Sequence, residues 1–527
     1  MTHRPTTSPV PPTTERRMDT VTVGIGPVAP TEVIAVARGG ATVVLAETAR
    51  AAMAESRAVI EALAGDTVPH YGVSTGFGAL ATKQIPVERR AQLQASLVRS
   101  HAASSGPAIE DEVVRALILL RLSTLATGRT GVRPEIAETY AQILNAGIVP
   151  IIGEYGSLGC SGDLAPLAHC ALAAMGEGEV RVDGTTQPAA VALANAGIEP
   201  VALREKEGLA LINGTDGMLG MLVLALADLR RLVTTADLAA AMSVEGLTGT
   251  DAVFAADLQA VRPHPGQAQS AANMRAALAD SPLIAAHRTN GFTRVQDAYS
   301  LRCAPQVHGA ARDTIDHADL VASRELASAI DNPVVLPDGR VESNGNFHGA
   351  PIGYVLDFLA IAVADLASMS ERRTDRFLDA HRSGGLPPFL ANDPGVDSGH
   401  MIAQYTQAGI VSELKRLAVP ASVDSIPTSA MQEDHVSMGW SAARKLRRAI
   451  DGLTRVVAIE ILTAARAADM RGVPAAPVTT AVRAQLRTAV PAPGDDRYLA
   501  PEIAAAVALV ADGSLLDAAR DAGADLA

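Results

Sequence analysis

Cys160-Ser161-Gly162 is the stretch of this chain whose residue types and order could turn backbone into a reagent. If the chain bends tightly there, the Gly162 amide nitrogen can reach the Cys160 carbonyl carbon, and glycine has no Cβ to block that approach. Loss of water from the ring and from Ser161 would leave an exocyclic methylene conjugated to an imidazolone. That is a strong electrophile built without an imported group. The Cys160 side chain only decorates such a ring, so Ser161 and Gly162 carry the chemistry. Read as backbone alone, the same stretch is a Gly-rich turn entering a helix. Asp163 or Ser161 could cap that helix, Pro166 fits its first turn, Ala168 to Met175 continue it, and Gly176 stops it. A hydrolase nucleophile elbow needs G-x-S-x-G, and Gly159-Cys160-Ser161-Gly162-Asp163 fails at its last position.

The elements that must hold this turn are mostly helical. The chain has 527 residues, 48% hydrophobic, 19% charged and only 3% aromatic. An Ala- and Leu-rich chain with so few aromatics favours long, tightly packed helices over sheets. Residues 1–19 read as a disordered Thr/Pro/Ser tail. Residues 20–217 read as a smaller, mixed N-terminal domain, and 218–527 as a long-helix bundle with a helical C-terminal region. Helical patterning is expected over Thr42–Ala64, in two helices between Glu110 and Leu144, over Met218–Met242, and over Val355–Arg372. Gly184–Gly197 has short-strand character. Beyond Ala442 the chain reads as helix, broken at Val473–Pro477 and Val490–Asp495.

A net charge of -13 argues against nucleic acid and anionic membrane surfaces as partners. The N-terminal residues have no apolar signal-peptide core. The most apolar run, Gly217–Ala227, is shorter than the roughly 20 residues of a membrane span. Cys160, Cys170 and Cys303 form no metal or disulfide spacing, which fits a reducing cytoplasm. Glu433-Asp434-His435 also matches no metal-ligand pattern, since consecutive residues point in different directions. No metal is expected.

The run Gly156-Ser157-Leu158-Gly159-Cys160-Ser161-Gly162-Asp163-Leu164-Ala165-Pro166-Leu167-Ala168-His169 resembles the signature of the aromatic amino acid ammonia-lyases and aminomutases. The likeness extends from about Val21 to near the C-terminus. Members of that family form methylidene-imidazolone (MIO) by the cyclisation described above. The resemblance implies a mainly α fold of the aromatic amino acid lyase and fumarase-like type, with the MIO loop on the N-terminal domain. It implies a homotetramer whose active sites are shared by three subunits, with Tyr71, the Ser161 region and the Tyr299–Arg302 region coming from different chains.

The resemblance also implies roles. Tyr71, in Tyr71-Gly72-Val73-Ser74-Thr75-Gly76-Phe77-Gly78, stands where relatives carry a tyrosine base. His101 stands where a histidine touches the substrate's ring, Asn213 is an active-site amide, and Arg302 grips the substrate carboxylate. Gln296 and Tyr299 line the same pocket, Phe347 packs beside the electrophilic ring, and Glu433 pairs with an imidazole. Cys160, where most members have Ala, is similar to the actinobacterial members that act on histidine. The implied reaction is loss of ammonia from L-histidine to give trans-urocanate. Tyrosine or phenylalanine, as lyase or mutase substrates, are the alternative. Three residues depart from the pattern: Met431, where many histidine-acting relatives have Asn, and His308 and His400, close in sequence to pocket segments.

Overall fold

Thr42-Val43-Val44-Leu45 alternates exposed and buried positions, the period of a strand, and it is a strand rather than the start of a helix. It pairs in parallel with Thr20–Val23, setting Val21 opposite Val43 and Val23 opposite Leu45. The Pro30–Ala37 helix makes the crossover, and the expected helix begins only at Glu47, running to Ala64. Three β-branched residues in succession, Thr42, Val43 and Val44, suit a pleated surface better than a helix face. The structure is a computed structural model and describes residues 18–65, 68–289 and 295–527. The expected tail 1–19 lies outside the described residues except for Met18 and Asp19.

The rest of the N-terminal part is helices joined by small sheets of two or three strands. Helices Asp111–Ala126 and Pro134–Asn145 bracket the Thr127–Gly131 turn, as expected. The expected strand character around Gly184 resolves into a hairpin, Glu179–Val182 with Thr185–Pro188, followed by the Ala189–Asn195 helix.

Four long helices form the body: α1 (Asp216–Gly246), α2 (Ala304–Leu326), α3 (Ala350–Leu378) and α4 (Gly439–Arg471). α1 is apolar around almost its whole circumference, which places it innermost. Gly217 lets its first turn approach its neighbours: a Cβ there would lie 2.6 Å from Trp440 Cζ3.

α1, α3 and α4 run in one direction. Near their far ends Ser243 Oγ donates to Glu460 Oε1 at 2.7 Å. Arg373 donates to the same carboxylate through Nε and Nη2, at 2.5 and 2.9 Å. α2 runs the opposite way. His308 near its start bonds Asp237 at 2.8 Å, and Glu325 at its end accepts from Thr215 at 2.5 Å. Among the described residues, α3 alone is long and apolar enough to cross a membrane by length and composition. Its most apolar window, of mean hydropathy 1.7, is 61% buried. It also carries buried Asp357, Glu371 and Arg373, the mark of a core helix.

Candidate active site

Residues 158–163 sit where the N-termini of α1, α3 and α4 converge. At α1, Asp163 Oδ2 accepts from the Met218 amide at 2.9 Å. At α3, the Gly349 amide donates to the Gly159 carbonyl at 2.9 Å. At α4, Ser437 Oγ donates to that same carbonyl at 2.8 Å and accepts from the Gly439 amide at 3.2 Å. Three positive helix ends therefore favour negative charge that develops in this place.

Asp163 does not cap the helix it opens. That helix, Leu164–Ala174, has no side-chain cap bond. The fully buried carboxylate is spent on the start of α1 and on the Ser157 hydroxyl, which donates to Oδ1 at 2.8 Å. Burial pushes Asp163 up to about 7, against the help of those donors. The folded protein thus keeps a proton that the unfolded chain has already lost. Stability is expected to fall as pH rises from about 4 to about 7 and to level off above. Asp163→Asn should flatten that slope in urea midpoints measured against pH.

The bend itself is tight. Gly162 has φ +75°, and a Cβ there would lie 2.2 Å from the Gly214 carbonyl oxygen, so only glycine fits. The Asp163 amide donates to that oxygen at 2.7 Å. Asn213, one residue earlier, donates from Nδ2 to the Ser161 carbonyl at 2.7 Å, and its buried Oδ1 has no partner. Arg121, fully buried, holds the Asn213 turn through the carbonyls of Ala210 and Asn213 at 3.0 and 3.2 Å, and pairs with Asp216 at 3.0 Å. Nothing in the local pattern around Arg121 announced this.

Glu433 faces the tripeptide from the other side. Its Oε1 accepts from Ser161 Oγ at 2.9 Å, and its Oε2 accepts from Cys160 Sγ at 3.4 Å and Thr428 Oγ1 at 2.8 Å. Burial and the Glu433 charge push the Cys160 thiol up to about 11, so it remains a neutral donor. His101 ends the Arg90–His101 helix with Nδ1 on the Leu97 carbonyl at 2.9 Å. Burial holds His101 below the ordinary imidazole value although the charge of Glu433 opposes this, which keeps the ring neutral at pH 7.

Tyr71 is half-buried, its hydroxyl accepting from the Gly78 amide at 3.2 Å and its ring edge-on to Phe77. Gly78 abuts the turn that leads to Glu433: a Cβ on it would lie 3.1 Å from Ser429 Oγ. Gln94 ties the loop down, donating to the Gly72 carbonyl and accepting from the Leu209 amide near Asn213. One chain brings the Tyr71 loop, His101, Cys160, Ser161, Gly162, Asn213 and Glu433 to one end of the bundle. Phe347, half-buried, lies two residues before the Gly349 amide that bonds Gly159.

Gln296, Tyr299 and Arg302 are not brought there. Asp297 accepts from the Thr250 amide beyond the C-terminal end of α1, and the Ser300 carbonyl accepts from Arg373. α1 has 31 residues, so this end lies roughly 45 Å from Ser161. Gln296 and Tyr299 are exposed, and the Arg302 guanidinium lies 4.6 Å from the centre of the Tyr299 ring. His308 and His400 are buried packing residues: His308 pairs with Asp237 at the far end, and His400 bonds Thr463 at 3.1 Å. Met431 is exposed on the turn before Glu433. No group of three or more potential metal ligands occurs among the described residues.

A family model described as aromatic amino acid lyase matches residues 28–488. Histidine ammonia-lyase of Streptomyces avermitilis is 66% identical over 506 residues, covering 95% of this chain and 99% of that protein. Histidine ammonia-lyase of Gloeobacter violaceus is 49% identical, covering 93% and 96%. Among solved structures, tyrosine aminomutase from Streptomyces globisporus superposes with a TM-score of 0.91 at 39% identity, covering 96% and 100%. Histidine ammonia-lyase from Trypanosoma cruzi superposes at 0.88 and 38%, covering 95% of each chain.

Proposed function

The chain belongs to the aromatic amino acid lyase family, and on that premise we propose that it is a histidine ammonia-lyase, eliminating ammonia from L-histidine to give trans-urocanate. The observation that carries the reading is the grip on Ser161: Asn213 on its carbonyl, Glu433 on its hydroxyl. Tripeptide cyclisation to MIO fits this grip. Gly162 has room for no side chain, and the Ser161 carbonyl, which becomes the ring carbonyl, already has its donor. The first water takes the Cys160 carbonyl oxygen with the Ser161 and Gly162 amide hydrogens. The second takes Ser161 Oγ with its hydrogen and the Cα hydrogen. No external cofactor and no metal are needed.

The matured tripeptide supplies an electrophile for the substrate's amine, converting a poor leaving group into a better one. Around it the side chains bind and move protons. Tyr71 removes the β-proton. Arg302 forms a two-pronged pair with the substrate carboxylate. His101, held neutral, and Glu433 orient the imidazole, while Gln296, Tyr299 and Phe347 complete the pocket.

Arg302 can serve a Ser161 only if another copy of the chain brings it, because its own lies at the other end of α1. An exposed apolar stripe on α3, Tyr354, Phe358 and Ile361, offers a surface for such a copy. A homotetramer with shared sites in a reducing cytoplasm suits this arrangement and the free thiols of Cys160, Cys170 and Cys303. Purified protein is expected to release urocanate, read by ultraviolet absorbance, from L-histidine and far less product from L-tyrosine or L-phenylalanine. Turnover of either of these with none of histidine would replace the substrate and keep the reaction class.

A further inference from the structure

Glu433 has two oxygens with different neighbours, and the second dehydration treats them differently. Oε1 is bonded to Ser161 Oγ, an atom that leaves with the water. Oε2 is bonded to Thr428 Oγ1 at 2.8 Å and Cys160 Sγ at 3.4 Å, which both remain. Maturation of the tripeptide therefore unmasks one oxygen of Glu433 and leaves the other held.

The hold is built into the loop. Thr428 and Glu433 exchange backbone hydrogen bonds, Thr428 N to Glu433 O at 3.0 Å and Glu433 N to Thr428 O at 3.3 Å. Of the four residues enclosed, Ser429, Ala430 and Met431 have φ of +52°, +52° and +68°. None is glycine, so each is strained, and surrounding contacts must hold the run in place. The Thr428 hydroxyl adds the shorter of the two bonds to Oε2, beside Cys160 Sγ, and so restricts the rotation of the carboxylate. The same turn abuts the Tyr71 loop at Gly78.

Resting on the histidine-lyase reading, we propose that Thr428 is a positioning residue: it clamps Glu433 Oε2 so that Oε1, freed when Ser161 loses its hydroxyl, meets the imidazole N–H of the substrate. A carboxylate free to rotate would bind that N–H more weakly, without affecting removal of the β-proton to the same degree. The effect falls on KM more than on kcat.

The test uses the full-length protein and two variants. Thr428→Val removes the hydroxyl and keeps the shape, while Thr428→Ser keeps the hydroxyl. Thr428→Val is expected to retain the two-water mass deficit and raise KM for L-histidine about tenfold, with a smaller change in kcat. Thr428→Ser is expected to stay within about twofold of the parent. An unchanged KM in Thr428→Val overturns the proposal. So does an equal loss in both variants, or disappearance of the mass deficit from Thr428→Val alone, which would place the hydroxyl in ring closure. Absence of urocanate from the unmodified protein would instead strike the histidine-lyase reading itself.

Discussion

Ser161→Ala is expected to leave a folded protein that turns over L-histidine at least about a thousandfold more slowly, about 4 kcal/mol added to the barrier. Alanine cannot supply the second water, so its intact mass should lack one water at most, where the parent lacks two. The fold should survive because Ser161 contributes one hydroxyl bond to Glu433. The bend is held instead by Gly162 against Gly214 and by Asn213 on a backbone carbonyl. Circular dichroism and the urea midpoint check the fold, mass spectrometry the chemistry, and urocanate absorbance the rate. Parent-like activity in this variant, or an active parent of full unmodified mass, would remove the electrophile from the account.

Mixing two dead proteins is expected to restore activity. Ser161→Ala lacks the electrophile, and Arg302→Ala lacks the carboxylate grip. Each should be inactive as a homomer. In randomly mixed assemblies half the chains carry an intact Ser161 and half an intact Arg302. If a site takes the two from different chains, about one quarter of sites are complete. If it took both from one chain, none would be. The roughly 45 Å between the two ends of α1 favours the first case. Assemblies verified as mixed by native mass spectrometry yet devoid of activity would refute the shared site.

The outcome for individual residues separates what was readable from what was not. Met218–Met242 was legible as helix because an α-helix is stabilised by bonds four residues apart and an apolar pattern of matching period. The turn around Gly162 was legible because a missing Cβ is a local property. Thr42–Leu45 was misread as helix because its partner strand, Thr20–Val23, lies 22 residues away, and short apolar runs carry no marker of the partner they will meet. Asp163 and Ser161 are the cap candidates nearest in sequence to the helix that follows them, whereas the fold turns Asp163 onto α1, 55 residues later.

By itself, the amino-acid order determined the Cys160-Ser161-Gly162 tripeptide with its glycine bend, the helical class of the fold, and the residue types around the site, since these follow from local chemistry and from likeness along the chain. Only the tertiary structure decided that three helix ends converge on residues 158–163. It alone brought Glu433 to Ser161 across 272 positions, assigned Thr428 the other oxygen, and carried Arg302 to the opposite end of the bundle. Those relations depend on how long helices pack and which direction each one runs. Packing is a property of surfaces meeting at a distance in sequence, and no short window of residues encodes it.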